Sequence, residues 1–78
     1  MRKTELNELL RSRRKELGIT QQRVADRAGI RLQQYQKFEY GRRNLLTASF
    51  DVACGVLEAL EFDIELVFRE YVSSQIGV

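Results

Sequence analysis

The segment from residue 20 to residue 41 places a glycine between two short stretches of helical periodicity. Thr20 is a preferred helix N-cap, because its hydroxyl can accept a hydrogen bond from a free backbone N–H of the first turn. Apolar residues then recur at helical spacing: Val24, Ala25 and Ala28. Gly29 can adopt the left-handed conformation that ends a helix without steric cost. The pattern therefore predicts a short helix that starts at Gln21, followed by a sharp turn at Gly29.

A second helix is predicted after the turn, from Leu32 to Tyr40. Tyr35 and Phe38 are three residues apart and share one face, which we expect to point inward. The opposite face carries polar side chains: Gln33, Gln36, Lys37 and Tyr40. A glutamine side chain offers both a donor and an acceptor, so such a face is suited to reading the edges of bases.

Seven positions of this segment resemble the helix-turn-helix of the phage-repressor and Cro-type (XRE-like) family: Val24, Ala25, Ala28, Gly29, Ile30, Tyr35 and Phe38. The resemblance covers about the first 60 residues and implies a mostly α, five-helix fold of the lambda-repressor type. Three positions depart from the family pattern. Arg31 stands where a Ser or Thr N-cap is usual, Leu32 where a polar base-contacting residue is frequent, and Tyr35 where Ile or Val is commoner.

The resemblance also implies roles for individual side chains. The second helix would enter the major groove of double-stranded DNA, with base contacts from Leu32, Gln33, Gln36 and Lys37. Phosphate contacts, which position a protein on the duplex, are expected from five further residues: Gln21, Arg31, Tyr40, Arg42 and Arg43. Arg14 and Glu39 match a pair that forms a buried salt bridge in several members and ties the first helix to the end of the recognition helix.

Helical patterns continue on both sides of this segment. A first helix is predicted from about Glu5 to Leu17, with Thr4 as its N-cap and Gly18 at its end, and its Arg11, Arg13 and Lys15 are interpreted as solvated charges. From Leu45 to Leu60, apolar residues at spacings of three and four predict a core-facing helix, undivided or split in two: Leu46, Phe50, Ala53, Cys54, Leu57 and Leu60. Gly55 within it indicates close packing or a short break.

The period changes to two in the segment from residue 62 to residue 68. Four apolar residues alternate with the others there, which predicts a half-buried strand within a dimerisation segment at 61–71, before a tail at 72–78: Phe62, Ile64, Leu66 and Phe68. A single strand leaves a row of backbone groups unpaired, so we expect it to form an antiparallel ribbon with its two-fold mate. Such a homodimer would present two recognition helices to a palindromic operator.

The charge of the chain is divided unevenly along its 78 residues, which are enough for one domain. Residues 1–43 hold 12 Lys and Arg against 5 Asp and Glu, whereas residues 44–78 hold 1 against 6. A basic half is typical of a protein that binds a polyanion. The single Cys54 excludes an internal disulfide. The N-terminus has no apolar run that would predict a signal peptide or a membrane span, so we expect a cytoplasmic location.

The chain has no His, one Cys and no phosphate-cradling glycine loop, so we predict neither an enzyme nor a bound cofactor or metal. The function predicted is sequence-specific regulation of transcription as a repressor. The stretch EFDIELVF, read as a strand, adds a resemblance to HipB-type antitoxins, which autoregulate their operon and bind a kinase-like toxin. Two alternatives stay open: a restriction-modification controller protein, a class usually helical to its end, and a protein-interaction adaptor that has lost DNA binding.

Overall fold

Five α-helices and one 3₁₀ turn build the fold in the computed structural model, which describes the backbone of residues 5–75 and the side chains of residues 5–71. The helices are α1 Leu6–Leu17, α2 Gln21–Ala28, α3 Leu32–Glu39, α4 Phe50–Ala59 and α5 Ile64–Gln75, with the 3₁₀ turn at Leu45–Thr47 between α3 and α4. The predicted mostly helical, five-helix architecture is confirmed. Thr4, expected to cap α1, lies outside the described residues, and Glu5 occupies the N-cap position.

Local signals set the start of α2 and the ends of α1 and α2 as predicted. The Thr20 hydroxyl accepts a hydrogen bond from the backbone N–H of Arg23 at 3.1 Å, which caps α2. Gly18 and Gly29 end α1 and α2 with φ values of 68° and 71°, in the left-handed region that favours glycine. Each of these glycines ends its helix, so the chain turns between α1 and α2 and again between α2 and α3.

The core lies where α2 packs against α3 and α4. Tyr35 and Phe38 are buried, as predicted for the inward face of α3. Gly55 lies where α4 passes the end of α2, and a Cβ atom there would stand 3.1 Å from the Ala28 carbonyl oxygen. That separation is close for a carbon and an oxygen, so the prediction of close packing at Gly55 is confirmed.

The stretch from Leu45 to Leu60 is split, which was one of the two predicted forms. The Asn44 side chain accepts a hydrogen bond from the Leu46 N–H at 2.9 Å and starts the 3₁₀ turn. Ser49 then caps α4 by accepting from the Val52 N–H at 3.3 Å. One prediction for this stretch is wrong: Phe50 does not face the core, since it is 71% exposed in the first turn of α4.

The predicted strand at residues 62–68 is wrong, because these residues lead into and form the first part of α5. Asp63 accepts a hydrogen bond from the Leu66 N–H at 3.1 Å and acts as a helix N-cap. The buried stripe has helical spacing: Ile64, Val67, Phe68 and Tyr71. Val67, which a two-residue period puts on the face opposite Leu66, is only 5% exposed, whereas Leu66 is 50% exposed.

The predicted antiparallel ribbon between two copies of the chain required this strand, so that prediction is wrong as well. Phe62, Ile64 and Phe68 are partly buried against the core of their own chain, so their burial does not require a partner strand. Glu65 and Arg69 form an ion pair of 2.8 Å at the i, i+4 spacing of a helix surface. Residues 72–75 of the expected tail continue α5, and residues 76–78 lie outside the described part of the chain.

The carboxyl end of α4 is held by two arginines from other helices. Arg13 of α1 donates from Nε to the Leu60 carbonyl at 3.0 Å, and its guanidinium lies 5.8 Å from the centroid of the Phe62 ring. Arg27 of α2 donates to the Ala59 carbonyl at 3.3 Å. These contacts satisfy carbonyls that a helix end leaves free. The interpretation of Arg13 as a merely solvated charge is therefore wrong.

We expect Asp63→Ala to lower the free energy of unfolding by about 1 kcal/mol, because it removes the side chain that caps α5. Asp63→Ser, which keeps a capping oxygen, should retain most of the stability. Urea titration followed by circular dichroism measures both values. Asp51→Ala, an exposed acidic residue in the first turn of α4, is the control for the loss of a negative charge near a helix start. Equal stability of wild type and Asp63→Ala would show that this cap contributes nothing.

Candidate nucleic-acid interface

The outer face of α3 presents polar and cationic side chains to solvent. Gln33 and Lys37 are exposed one turn apart, and Leu32 and Gln36 are partly buried. A shallow depression runs beside this face and is lined by Arg31, Gln33, Gln34, Lys37 and Arg43. Two of these five residues carry predicted base contacts and two carry predicted phosphate contacts. Three cationic side chains thus surround two glutamine amides that can both donate and accept hydrogen bonds.

Packing on the inner face fixes which side of α3 is turned outward. The turn after α2 is closed by a backbone hydrogen bond of 3.0 Å from the Ile30 N–H to the Ala25 carbonyl. Ala25 is buried without a bulky side chain, so the two helices can cross closely there. With Tyr35 and Phe38 in the core, the helical period leaves the opposite residues exposed. The geometry is that of a helix carried on the surface of a rigid domain.

Arg31 lies at the N-cap position of α3 and makes no side-chain hydrogen bond to the helix it precedes. Its backbone is extended, with φ −76° and ψ 149°, and its side chain is exposed. The first backbone N–H groups of α3 therefore lack a side-chain acceptor from the N-cap residue. A cation beside such N–H groups favours an approaching anion.

The loop after α3 folds back along the carboxyl end of that helix. Gly41 turns the chain with φ 76°, and the backbone N–H groups of Arg42 and Arg43 both point to the Lys37 carbonyl, at 2.9 and 3.2 Å. The guanidinium of Arg43 lies 5.8 Å from the centroid of the Phe38 ring, which restrains it by a cation–π contact. The loop thereby places Arg43 beside Lys37 on the exposed side of α3.

Arg14 and Glu39 form a two-point ion pair beneath this surface. Arg14 Nε donates to Glu39 Oε2 at 3.0 Å, and Nη2 donates to Oε1 at 2.9 Å. Arg14 Nη1 also donates to the Ile19 carbonyl at 3.0 Å, so the same guanidinium holds the connection between α1 and α2. Burial alone would raise the pKa of Glu39, but the hydrogen bonds and positive charge of Arg14, together with the Tyr35 and Gln21 side chains, outweigh it and hold that pKa below its usual value.

A hydrogen-bonded group of side chains joins this ion pair to the protein surface. Gln21 Nε2 donates to Glu39 Oε1 and to the Tyr40 hydroxyl, each at 3.2 Å. Gln36 Nε2 donates to Gln21 Oε1 at 3.1 Å. The structure thus brings together Gln21 and Tyr40, expected at phosphates, with Gln36, expected at a base. Gln36 differs from Gln33 in that its amide is directed at another side chain of the protein.

Tyr35 lies against the same ion pair from the core side. Its hydroxyl is buried and makes no hydrogen bond within the part of the chain that the structure describes. Burial, together with the adjacent Glu39 carboxylate, raises the pKa of this phenol, so Tyr35 is uncharged at all physiological pH values. The inward face of α3 requires an uncharged side chain. Both the Tyr present here and the aliphatic residue that is commoner in the family meet that requirement.

Gln34 is a member of the depression that was not predicted from the sequence. It lies three residues after Arg31 and three before Lys37, so helical spacing alone places it on their side of α3. The DNA contacts were expected from the face opposite Tyr35 and Phe38, and Gln34 lies at the edge of that face. Gln34 is partly buried and lines the depression between the two cations.

We expect the stability of the protein to fall as the pH drops below about 4.3, the ordinary pKa of Glu, because the depressed pKa of Glu39 adds stability only while its carboxylate stays ionised. Glu39→Gln should lose about 3 kcal/mol at pH 7, the lower end for a broken buried pair, since Arg14 keeps 16% of its side chain exposed. Its stability should then vary less with pH. Urea titrations between pH 3 and 7 measure this, with the exposed Glu58→Gln as control.

Comparison with known proteins agrees with this geometry. A family model described as helix-turn-helix matches residues 10–65, which is well over half of the chain. Searches among curated proteins and among solved structures gave no match. Within residues 5–75 there is no helix of sufficient length and apolar character to span a membrane. With a capped α2, a glycine turn and an exposed α3 in the matched region, the chain belongs to the XRE-type helix-turn-helix family, which is a family of DNA-binding regulators.

Proposed function

We propose that the protein is a sequence-specific transcriptional repressor that binds a palindromic operator in double-stranded DNA as a homodimer in the cytoplasm. The observation that carries this proposal is the exposed face of α3, where Gln33 and Lys37 lie beside the cations Arg31 and Arg43. Such a helix fits the major groove, and its polar side chains match the donors and acceptors of base edges. No cofactor or metal is needed for this function.

Base readout falls to three residues of α3. Gln33 can pair with adenine through both atoms of its amide, and Lys37 can donate to guanine. Leu32 lies partly buried in the first turn of α3, where its exposed portion can touch the methyl group of a thymine. These contacts differ between base pairs, so they supply the sequence preference.

Phosphate contacts fall to cations on both sides of α3. Arg31 lies before the helix, and Arg42 and Arg43 lie in the loop after it, all with exposed side chains. A helix in the major groove has a phosphate strand along each side, so residues at its two ends can reach one strand each. The affinity from these contacts depends on salt and not on sequence.

An apolar surface patch on α4 and α5 supports the homodimer. The patch consists of Phe50 and Phe68, whose rings stack with centroids 6.2 Å apart. Phe50 is 71% exposed and Phe68 is only partly buried, so this stacked pair leaves apolar surface open to solvent. A second copy of the chain, docked through α5 in place of the ribbon, would cover this patch and set two α3 helices about 34 Å apart.

A restriction-modification controller protein is the second candidate, because such proteins are usually helical to the end and α5 replaces the predicted strand. The same finding removes the residue pattern on which the resemblance to HipB-type antitoxins depended, so a toxin partner has no support from α5. Both candidates bind DNA through the same face of α3. The protein-interaction adaptor differs from both, since it would bind no duplex.

We expect Gln33→Ala and Lys37→Ala each to weaken binding to the operator by about 1–3 kcal/mol, because each removes a contact to a base edge. The operator is first selected from a library of random duplexes, and affinities are measured by fluorescence anisotropy at several salt concentrations. Lys15→Ala, an exposed lysine of α1, is the matched control for lost charge.

The selection and the salt series also decide between the proposed repressor and the adaptor. For the repressor, the logarithm of the binding constant should fall with the logarithm of salt concentration by roughly 0.9 for each phosphate that a cation neutralises. Failure to enrich any duplex, together with a flat salt series, would identify an adaptor. Unchanged affinity and base preference in both alanine variants would place the reading face elsewhere.

We expect Phe50→Glu to convert the homodimer to a monomer, because it puts a charge into the apolar patch that the second copy covers. Phe50 is 71% exposed in the single chain, so the variant should keep its helical content and unfold at nearly the same urea concentration once corrected for dimerisation. Sedimentation equilibrium measures the oligomeric state. Glu70→Gln, on the exposed side of α5, is the control, and a dimeric Phe50→Glu protein would place the interface away from the patch.

A further inference from the structure

The side-chain amide of Gln21 has no hydrogen left for an outside partner. A glutamine amide carries two N–H donors. One points to Glu39 Oε1 and the other to the Tyr40 hydroxyl, both at 3.2 Å, while the Gln21 oxygen accepts from Gln36. A phosphate contact from the Gln21 side chain would therefore require one of these hydrogen bonds to break. This conflicts with the expectation that Gln21 itself clamps a phosphate.

The ion pair fixes the direction of every hydrogen bond in this group. Glu39 is an ionised carboxylate and can only accept, so Gln21 must turn its N–H₂ end toward it. The oxygen of Gln21 then faces Gln36, which must donate. A flip of either amide would set two oxygens or two N–H groups against each other. The buried charge thus orders side chains as far out as the surface of α3.

The same logic determines what the Tyr40 hydroxyl does. Its oxygen accepts the second N–H of Gln21, so its own O–H remains to donate. Tyr40 lies at the C-cap of α3 and is 51% exposed, beside the loop that carries Arg42 and Arg43. An exposed O–H donor at the end of α3, in the residue that precedes a loop with two arginines, is complementary to a phosphate oxygen.

We propose that Tyr40 is a phosphate-contacting residue whose O–H is aimed outward by Gln21, and that Gln21 and Gln36 are positioning residues for it. We assign Gln36 to this support and not to base readout, because its side chain is partly buried and its amide donates to Gln21. This inference rests on the proposed function, because it assigns roles within the DNA-binding face. It divides the glutamines of the motif into a reader, Gln33, and two members of a hydrogen-bonded support.

Three variants test the division: Tyr40→Phe, Gln36→Met and, as the matched control, Gln33→Met. Tyr40→Phe should weaken binding to the operator and to an unrelated duplex equally, by about tenfold, since a hydrogen bond to a charged group is lost. The salt dependence should not change, because a neutral donor releases no counterion. Gln36→Met should weaken both duplexes equally by about threefold, whereas Gln33→Met should weaken only the operator.

A double variant separates positioning from an independent contact. Gln36→Met combined with Tyr40→Phe should bind no more weakly than Tyr40→Phe alone, because Gln36 acts through the hydroxyl that is already absent. Additive losses, or a changed base preference in Gln36→Met, would overturn the inference while the repressor function stands. If the wild-type protein bound no duplex at all, the proposed function itself would be rejected.

The hydrogen bonds among Gln21, Gln36 and Tyr40 can also be observed without DNA. In the free protein, Gln36→Met should shift the side-chain N–H₂ resonances of Gln21 in a ¹⁵N–¹H spectrum, and Gln33→Met should leave them in place. Unmoved Gln21 resonances would overturn the inference. Thermal unfolding of each variant confirms that it is folded, and Gln36→Leu serves as a second apolar replacement if Gln36→Met does not fold.

Discussion

The Arg14–Glu39 ion pair is the interaction on which the arrangement of the first three helices depends. It joins α1 to the end of α3 through two hydrogen bonds and reaches the α1–α2 connection through the Ile19 carbonyl. The Glu39 side chain is 1% exposed, so its charge has no alternative partner in water. A buried carboxylate of this kind is costly unless it is paired, and the pairing holds only when the three segments take these positions.

Close approach of backbones supplies the second constraint. α2 lies between α3 and α4, and it can do so because Ala25 and Gly55 leave room at the two contacts. With α2 fixed on both sides, the angle of α3 to the domain is set by Tyr35 and Phe38 in the core. The exposed face of α3 is therefore a consequence of packing behind it. A DNA-binding helix gains from such rigidity, since base contacts require side chains at defined positions.

The charge beneath the surface and the chemistry at the surface are connected by side-chain amides. Gln21 extends the order imposed by Glu39 to Tyr40 and Gln36, so the donors at one end of α3 are arranged before any ligand arrives. Preorganised donors avoid the entropy loss of ordering on binding. At the other end, the Arg31 side chain has no such connection to its helix. In the proposed complex with DNA, the two ends of α3 therefore contact phosphate strands by different means.

The sequence alone determined the features whose cause is local. Thr20, Gly18 and Gly29 act on the backbone within a few residues, so the ends of α1 and α2 follow from residue type, and the burial of Tyr35 and Phe38 follows from the period of α3. The stretch that begins α5 also carried a local signal, the N-cap residue Asp63, but its apolar residues Ile64 and Phe68 suit both a period of two and a helical stripe.

Only the tertiary structure decided the rest. The burial of Val67 favours the helix, because α5 packs against α4 in the folded chain. No residue pattern within 62–68 indicates that neighbour. The same holds for Gln36, whose partner Gln21 lies 15 positions earlier in the chain, and for Phe50, which looks core-facing by spacing yet lies at the edge of the core. Backbone conformation depends mainly on residues adjacent in the sequence. The contacts of a side chain depend on how residues far apart in the sequence pack together.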